Sequence, residues 1–319
     1  LSLHGRRAGH KSIDNPVQNA LTAPMHAPSI VSTPKRVLAD AGLFYAAAIW
    51  GATFFLVKDA LTGIDPVTMV AYRFLLAGVS LLIFLIATGR PIFRGLGRAA
   101  FLSVILWLLY IPQTVGLGYT TASNSGFITG LFVAFIPLFL KTIFKRTPTL
   151  MEVIASAVAL IGLWILTGGL RYLNIGDSLT LVAAMTYALH VLYSDKYMKA
   201  GIDPYMISCQ QFLLVGLLSL LTALVLDLPL DIRTSSAAWT VVFLAFFPTL
   251  SAFVIQMLAQ RITSPLKVSL IFAFEPVFAA LFAWTLGDEP FVLRRAGGGI
   301  LIFAALILSG LPTPGRKRS

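Results

Sequence analysis

Asp65-Pro66, followed by Arg73-Phe74-Leu75-Leu76 and Gly78, returns 138 positions later as Asp203-Pro204, Gln211-Phe212-Leu213-Leu214 and Gly216. Ala134-Phe135-Ile136-Pro137-Leu138-Phe139 returns 139 positions later as Ala273-Phe274-Glu275-Pro276-Val277-Phe278. Two motifs that keep nearly one offset mark a duplicated unit. Each copy holds five apolar segments of membrane length. Five is odd, so the second copy enters the membrane upside down.

Composition supports a membrane reading. Of the 319 residues 57% are hydrophobic and only 12% charged, with a mean hydropathy of +0.86. Soluble domains carry about 25% charged residues. Cys209 is the only cysteine, so no disulfide forms within the chain and the redox compartment is not legible. The net charge of +11 suggests nucleic acid until the charges are placed. They cluster in alternate loops, which is the positive-inside pattern of a membrane protein. A nucleic-acid partner is therefore excluded, and the lipid bilayer is the expected surrounding.

A spanning helix needs about 20 apolar residues. Runs of that order fall at 41–57, 66–88, 99–119, 122–144, 149–168, 176–196, 204–226, 237–259, 265–286 and 292–311. Pro66, Pro204 and Pro265 sit near helix starts, where a missing N–H costs little. Gly89, Gly168-Gly169 and Gly310 mark stops. With the N-terminus in the cytoplasm, 18 of the 24 Lys and Arg residues fall on the cytoplasmic side and five on the other, with Arg73 inside a span. Without the distant Arg6, Arg7 and Lys11 the balance is still 15 to 5, so both termini are expected to face the cytoplasm. The predicted fold class is an all-α membrane protein, with ten transmembrane helices as two inverted five-helix repeats. Inverted repeats are characteristic of secondary transporters.

The predicted boundaries are a flexible cytoplasmic tail (1–39), a first repeat (40–170), a second repeat (171–311) and a basic cytoplasmic tail (312–319). The first tail holds Pro16, Pro24, Pro28 and Pro34 among polar and small residues. No apolar segment follows Arg6-Arg7 as a secretory signal would require.

Ionisable groups inside a span are costly and ask for an explanation. Glu275 precedes Pro276 near the middle of the ninth span. It suits a proton-coupling carboxylate, a ligand for a cationic group, or an acceptor for backbone groups freed around the proline. Arg73 lies roughly 10 Å of helical rise from Pro66. Its guanidinium suits a carboxylate or phosphate, and it equally suits capping carbonyls or snorkelling to the interface. Gln211 holds the matching depth in the second copy, with Gln210 beside it.

His190 shares the sixth span with Tyr187 and reads as a packing residue or a proton relay. His4, His10 and His26 lie in the tail, so no metal site of ordinary spacing exists. No cofactor is called for. Gln113, Asn124 and Gln256 are buried-amide candidates for the site or for helix–helix ties of about 0.6 kcal/mol. Trp50-Gly51, in mid-span, suits an aromatic pocket or core packing. Gly126 and Gly130 form a small-residue face for close packing. Pro137 and Pro276 interrupt matched helices and read as hinges or kinks. The HExxH, Walker and GxSxG enzyme motifs are absent.

The run Trp50-Gly51-Ala52-Thr53-Phe54, then Lys58 and Arg73-Phe74, resembles the start of the EamA repeat of the drug/metabolite transporter superfamily. Gly118-Tyr119-Thr120-Thr121-Ala122-Ser123-Asn124-Ser125-Gly126-Phe127 resembles that repeat's small-residue segment between its third and fourth helices. The second copy follows with Gly176-Asp177, Ala259-Gln260-Arg261-Ile262-Thr263-Ser264-Pro265, Glu275-Pro276-Val277-Phe278-Ala279-Ala280 and Gly287-Asp288-Glu289. The resemblance covers about residues 41–311. It implies two inverted five-helix repeats in a cell (inner) membrane, a central cavity and transport of small metabolites, often as export. The halves have diverged: Gln211 replaces Arg73, and no Trp-Gly pair marks the sixth helix.

The expected function is a secondary transporter, working by alternating access, that exports a small metabolite such as an amino-acid-like solute. A coupling proton or counter-substrate completes the cycle. The candidate binding or coupling residues are Trp50, Arg73, Asn124, Tyr187, His190, Gln211, Gln256 and Glu275. An importer or a cationic-drug efflux protein is the nearest alternative. A non-transporting membrane sensor or scaffold is an alternative of another class. Oligomeric state is left open.

Overall fold

The computed structural model describes residues 33–169, 174–286 and 291–310. In chain order the elements are α1 (Thr33–Ala60), α2 (Pro66–Ala87), α3 (Leu96–Tyr119), α4 (Ala122–Gly130), α5 (Phe132–Thr142), α6 (Leu150–Thr167) and α7 (Ile175–Lys199). After these come α8 (Pro204–Val225), α9 (Ser235–Leu244), a π-helical segment (Ala245–Ser251), α10 (Ala252–Gln260), α11 (Pro265–Phe272), α12 (Glu275–Leu286) and α13 (Leu293–Gly310). Among the described residues, nine helical stretches are long and apolar enough to cross a membrane. Helix α13 stands where the tenth span is expected. The chain is an all-α, multi-span membrane protein.

The helix starts follow from local chemistry. Asp65 accepts hydrogen bonds from the backbone N–H groups of Val67 and Thr68, and Asp203 accepts one from Met206. Each is followed by a proline in the first helical position, where the absent donor leaves nothing unpaired. Thr149 with Glu152, and Asn174 with Asp177, close reciprocal capping boxes. Gly168 ends α6 in a left-handed conformation (φ 87°), which an L side chain rarely adopts.

One expectation needs correction. Residues 33–39, assigned to a flexible tail ending at 39, are the first turns of α1. Pro34 reads as a loop residue by composition, yet it falls in a helical first turn, where proline is tolerated. Residues 1–32, 170–173, 287–290 and 311–319 lie outside the described residues; they hold Arg171, Gly287-Asp288-Glu289 and the basic tail.

Spans four and nine are interrupted near the matched prolines, and the eighth holds a π-helical turn. The fourth divides at Leu131, a few residues before Pro137, and the ninth divides just before Pro276. A proline removes one backbone hydrogen bond and crowds the preceding turn. The eighth passes through the π-helical segment, which contains Pro248.

Helices α2 and α8 cross with reciprocal contacts. A side chain at Gly78 would meet Leu213 at 2.9 Å, and one at Gly216 would meet Leu75 at 2.7 Å. Residue numbers rise on one helix as they fall on the other, so the pair is antiparallel. Helix α3 lies along α7, α6 lies along α13, and α1 packs on α10 and α12. The α6–α13 contact is also glycine-mediated: a side chain at Gly162 would meet the Gly298 carbonyl at 2.7 Å. Gly130 backs onto Leu163, as its place in a small-residue face suggests.

Gly78→Leu should destabilise the fold by about 1–3 kcal/mol, the usual range for overpacking a close contact. The check is the melting temperature of the purified protein in detergent. A variant that melts with the wild type would remove the α2–α8 contact from the account.

Candidate functional site

Helices α1, α2, α3, α4, α7, α10 and α12 surround a small cavity. Trp50, Arg73, Tyr187 and Glu275 all line it. These four site candidates come from four different helices and both halves of the chain.

Arg73 is buried and does not snorkel. Its Nε donates to Thr249 Oγ1 at 3.0 Å, and its guanidinium carbon sits 4.7 Å from the centre of the Tyr110 ring. Thr249 is available because the π-helical turn offsets it: its own hydroxyl donates to the Leu244 carbonyl, five residues back, at 2.7 Å. Segments of π-helix are frequent at functional sites. Across the cavity, Tyr187 Oη donates to Glu275 Oε1 at 3.3 Å. Among the described residues, no carboxylate pairs with Arg73 and no basic group pairs with Glu275.

Aromatic rings form much of the remaining wall. Trp50 donates its indole N–H to the Pro248 carbonyl at 2.8 Å, which fixes the ring. It packs edge-to-face on Phe272 (4.8 Å) and Phe253 (5.2 Å). Gly51 beside it lets α1 touch the start of α12, since a side chain there would strike the Glu275 carbonyl. Tyr187 stacks on Phe132 at 4.3 Å. Gln113 lines the opposite wall and donates to Thr129 Oγ1 at 2.9 Å.

Two further pockets adjoin this cavity through shared wall residues. Phe54 lines both the cavity and a neighbouring cleft with Pro276 and Arg295. Arg295 and Thr167 line both that cleft and a wider mouth, whose wall also holds Lys58, Thr121 and Asn124. Lys58 Nζ donates to the Thr120 carbonyl and, at 3.0 Å, to that of Leu117, so it caps the end of α3.

The other site candidates lie elsewhere. Asn124 borders the mouth, not the inner cavity, because its place in the first turn of α4 holds it near the cap, Thr121. His190 and Gln211 bond each other at 2.8 Å, and Gln256 Nε2 donates to Gln260 Oε1 at 3.4 Å. The bulk of Phe253 separates that group from the cavity: its ring packs on Trp50, Tyr110 and Phe212, and edge-on against His190. Pro137 lies within α5 and Pro276 at the start of α12, each close to a helix break.

Sequence reasoning missed Tyr110, Thr249 and Phe253. Pro248 inside an apolar span was the one available signal for the π-helical turn that positions Thr249.

Membrane-spanning helices around a cavity with one buried arginine, one buried carboxyl group and a fixed aromatic wall have the form of a solute transporter. The EamA-like transporter family matches residues 37–168 and again 174–311. The chain belongs to that family, and this membership sets it among transporters rather than enzymes. It is 32% identical over 277 residues to an uncharacterized transporter of Archaeoglobus fulgidus, covering 87% of each chain. It is 27% identical over 282 residues to the uncharacterized inner membrane transporter YedA of Escherichia coli K12, covering 84% of this chain and 89% of that one. A crystal structure with 18% identity superposes with a TM-score of 0.73, over 85% of this chain and 96% of the other. That likeness speaks to the fold.

Proposed function

We propose that the chain is a secondary transporter that exports a small zwitterionic, amino-acid-like solute by alternating access. One observation carries this reading: Arg73 and Glu275 face one cavity, each without an ionic partner among the described residues. A charge buried without compensation costs several kcal/mol. A solute carboxylate removes that cost at Arg73, and a solute ammonium group pairs with the carboxylate left when Glu275 gives up its proton. The planar guanidinium suits a carboxylate, and the aromatic wall suits an apolar side chain. The proton displaced from Glu275 on binding is the proposed coupling ion. A purely cationic solute would use Glu275 but would meet Arg73 in the same cavity, which disfavours the drug-efflux alternative. Export is the direction the family resemblance implies.

Two inverted five-helix halves are the proposed machinery. The reciprocal contacts of Gly78 with Leu213 and Gly216 with Leu75 support it, because an in-plane two-fold axis relates matched helices in an antiparallel register. Packing of α3 on α7, mirrored by α1 on α10, supports it again. The proposed location is the inner membrane with both termini in the cytoplasm, so the mouth beside Lys58 faces outward. Ion pairs between the halves, Lys267 with Asp40 at 2.6 Å and Arg90 with Asp203 at 3.2 Å, support a closed cytoplasmic end.

Reporter fusions test the topology. Fusions after Arg98 and Arg146 should report cytoplasmic, and fusions within 58–65 and 227–236 external. A periplasmic signal from the C-terminus would refute the orientation. Comparing metabolite efflux from cells with and without the chain tests transport. Accumulation of an amino acid outside expressing cells is the expected result, and identical profiles would count against transport.

A further inference from the structure

Beyond Phe253, on the side away from the mouth, lies a group of polar side chains that the cavity does not use. His190, Ser194, Ser208 and Gln256 are all fully buried. Among the described residues, His190 Nδ1, Ser194 Oγ, Ser208 Oγ and Gln256 Oε1 have no hydrogen-bond partner. Three other buried hydroxyls on membrane helices, those of Ser103, Thr180 and Ser219, each donate to the carbonyl four residues back, while Ser125 Oγ on α4 has no partner among the described residues. Leaving a buried polar group unpaired costs about 1–3 kcal/mol, and alanine at the serine positions would avoid that cost. Four such atoms on three neighbouring helices ask for a state in which they are solvated.

The group is contiguous. His190 bonds Gln211 across α7 and α8 at 2.8 Å. Gln260, bonded to Gln256, donates to the Val191 carbonyl at 2.9 Å, which ties α10 to α7. Ser194 lies one turn beyond His190, and Ser208 one turn before Gln211.

The repeat relates this group to the open cavity. Gln211 is the counterpart of Arg73. Gln113 and Gln256 stand equally far before the caps Thr121 and Ser264, and so do Tyr110 and Phe253. The ring pairs agree: Phe74 packs edge-to-face on Tyr110 at 73°, and Phe212 on Phe253 at 74°. One set lines the cavity now, while its mate is packed shut.

Building on the proposed transport cycle, we infer that His190, Gln211 and Gln256, with Ser194 and Ser208, form a second polar station on the solute path. Phe253 seals it in this conformation, and it takes up the hydrogen-bonding ends of the solute when the cavity opens to the opposite face. Its groups are amides, hydroxyls and an imidazole. Such a station can hand a charged end onward without holding it as Arg73 does.

Single cysteines test this in a Cys209→Ser background, where Ser can keep the hydrogen bond to the Gly78 carbonyl. Thr53→Cys reports the open cavity, Ser194→Cys and Ser208→Cys the second station, and Ala183→Cys a fully buried apolar site on α7. The probe is a membrane-impermeant, positively charged methanethiosulfonate, applied to either face of reconstituted vesicles. The serine variants change one atom and keep the fold. Thr53→Cys should label from the Lys58 face. Ser194→Cys and Ser208→Cys should label from the opposite face, at least tenfold faster than Ala183→Cys. If both match Ala183→Cys from either face while Thr53→Cys labels, the second station is refuted and the cavity reading stands. Labelling of the serine positions from the Lys58 face alone also refutes it. Silence at Thr53→Cys as well would remove the cavity reading and this inference together.

Discussion

Arg73→Ala should weaken transport of a carboxylate-bearing solute by roughly ten- to a hundredfold in apparent affinity, since hydrogen bonds to a charged group contribute about 1.5–3 kcal/mol. The fold should survive, because among the described residues Arg73 forms no ion pair and its loss removes a neutral-acceptor contact, that to Thr249 Oγ1. Arg73→Lys should fall between the two. It keeps the charge but loses the planar fork and the stacking on Tyr110 that hold the guanidinium in place. Flux in proteoliposomes over a range of solute concentrations is the measurement, with thermal stability in detergent as the folding control. A wild-type KM in Arg73→Ala would take Arg73 out of the site.

Glu275→Gln should uncouple transport from the proton gradient. In the wild type, outside acid should speed export, because a proton entering from the mouth returns Glu275 to its neutral form after the solute leaves. Gln cannot carry that proton, although it can still accept the Tyr187 hydroxyl hydrogen bond. Gradient-driven flux should therefore fall to the level of passive exchange while the protein stays folded. A purely structural Glu275, serving the helix break before Pro276, predicts the opposite: normal flux with an unaltered pH profile. That outcome would end the coupling proposal.

The sequence made the spans legible because the bilayer imposes a length and a polarity that few soluble helices share. Pro66, Pro204 and Pro265 opened their helices where read, since a helix start is settled by its neighbours in sequence. The repeat was in fact longer than the pair first used: Gly63-Ile64-Asp65-Pro66 is repeated whole as Gly201-Ile202-Asp203-Pro204.

The site was only half legible. A polar residue in a span announces itself by its cost, so Arg73, Tyr187 and Glu275 were candidates, and Trp50 stood out by its depth. What such residues touch is a tertiary matter. Trp50 meets the Pro248 carbonyl 198 positions away, and nothing local forecasts it. The π-helical turn, which aims Thr249 at Arg73, leaves the hydropathy of its span unchanged and so was invisible. His190, Gln211 and Gln256 looked equivalent to the cavity residues because sequence gives depth without saying on which side of Phe253 a side chain falls. The tail boundary failed for a different reason: Pro34 is a breaker within a helix but tolerated in a first turn.

The proposed recognition of a solute by both its charges is tested most directly by exchange in proteoliposomes loaded with amino acids and their analogues. The account predicts that the wild type exchanges a zwitterionic amino acid at least tenfold faster than its carboxamide, which lacks the carboxylate for Arg73. The deaminated acid, which lacks the ammonium group for Glu275, should be equally slow. Equal exchange of all three, or no exchange of any zwitterion by a folded protein, would contradict it.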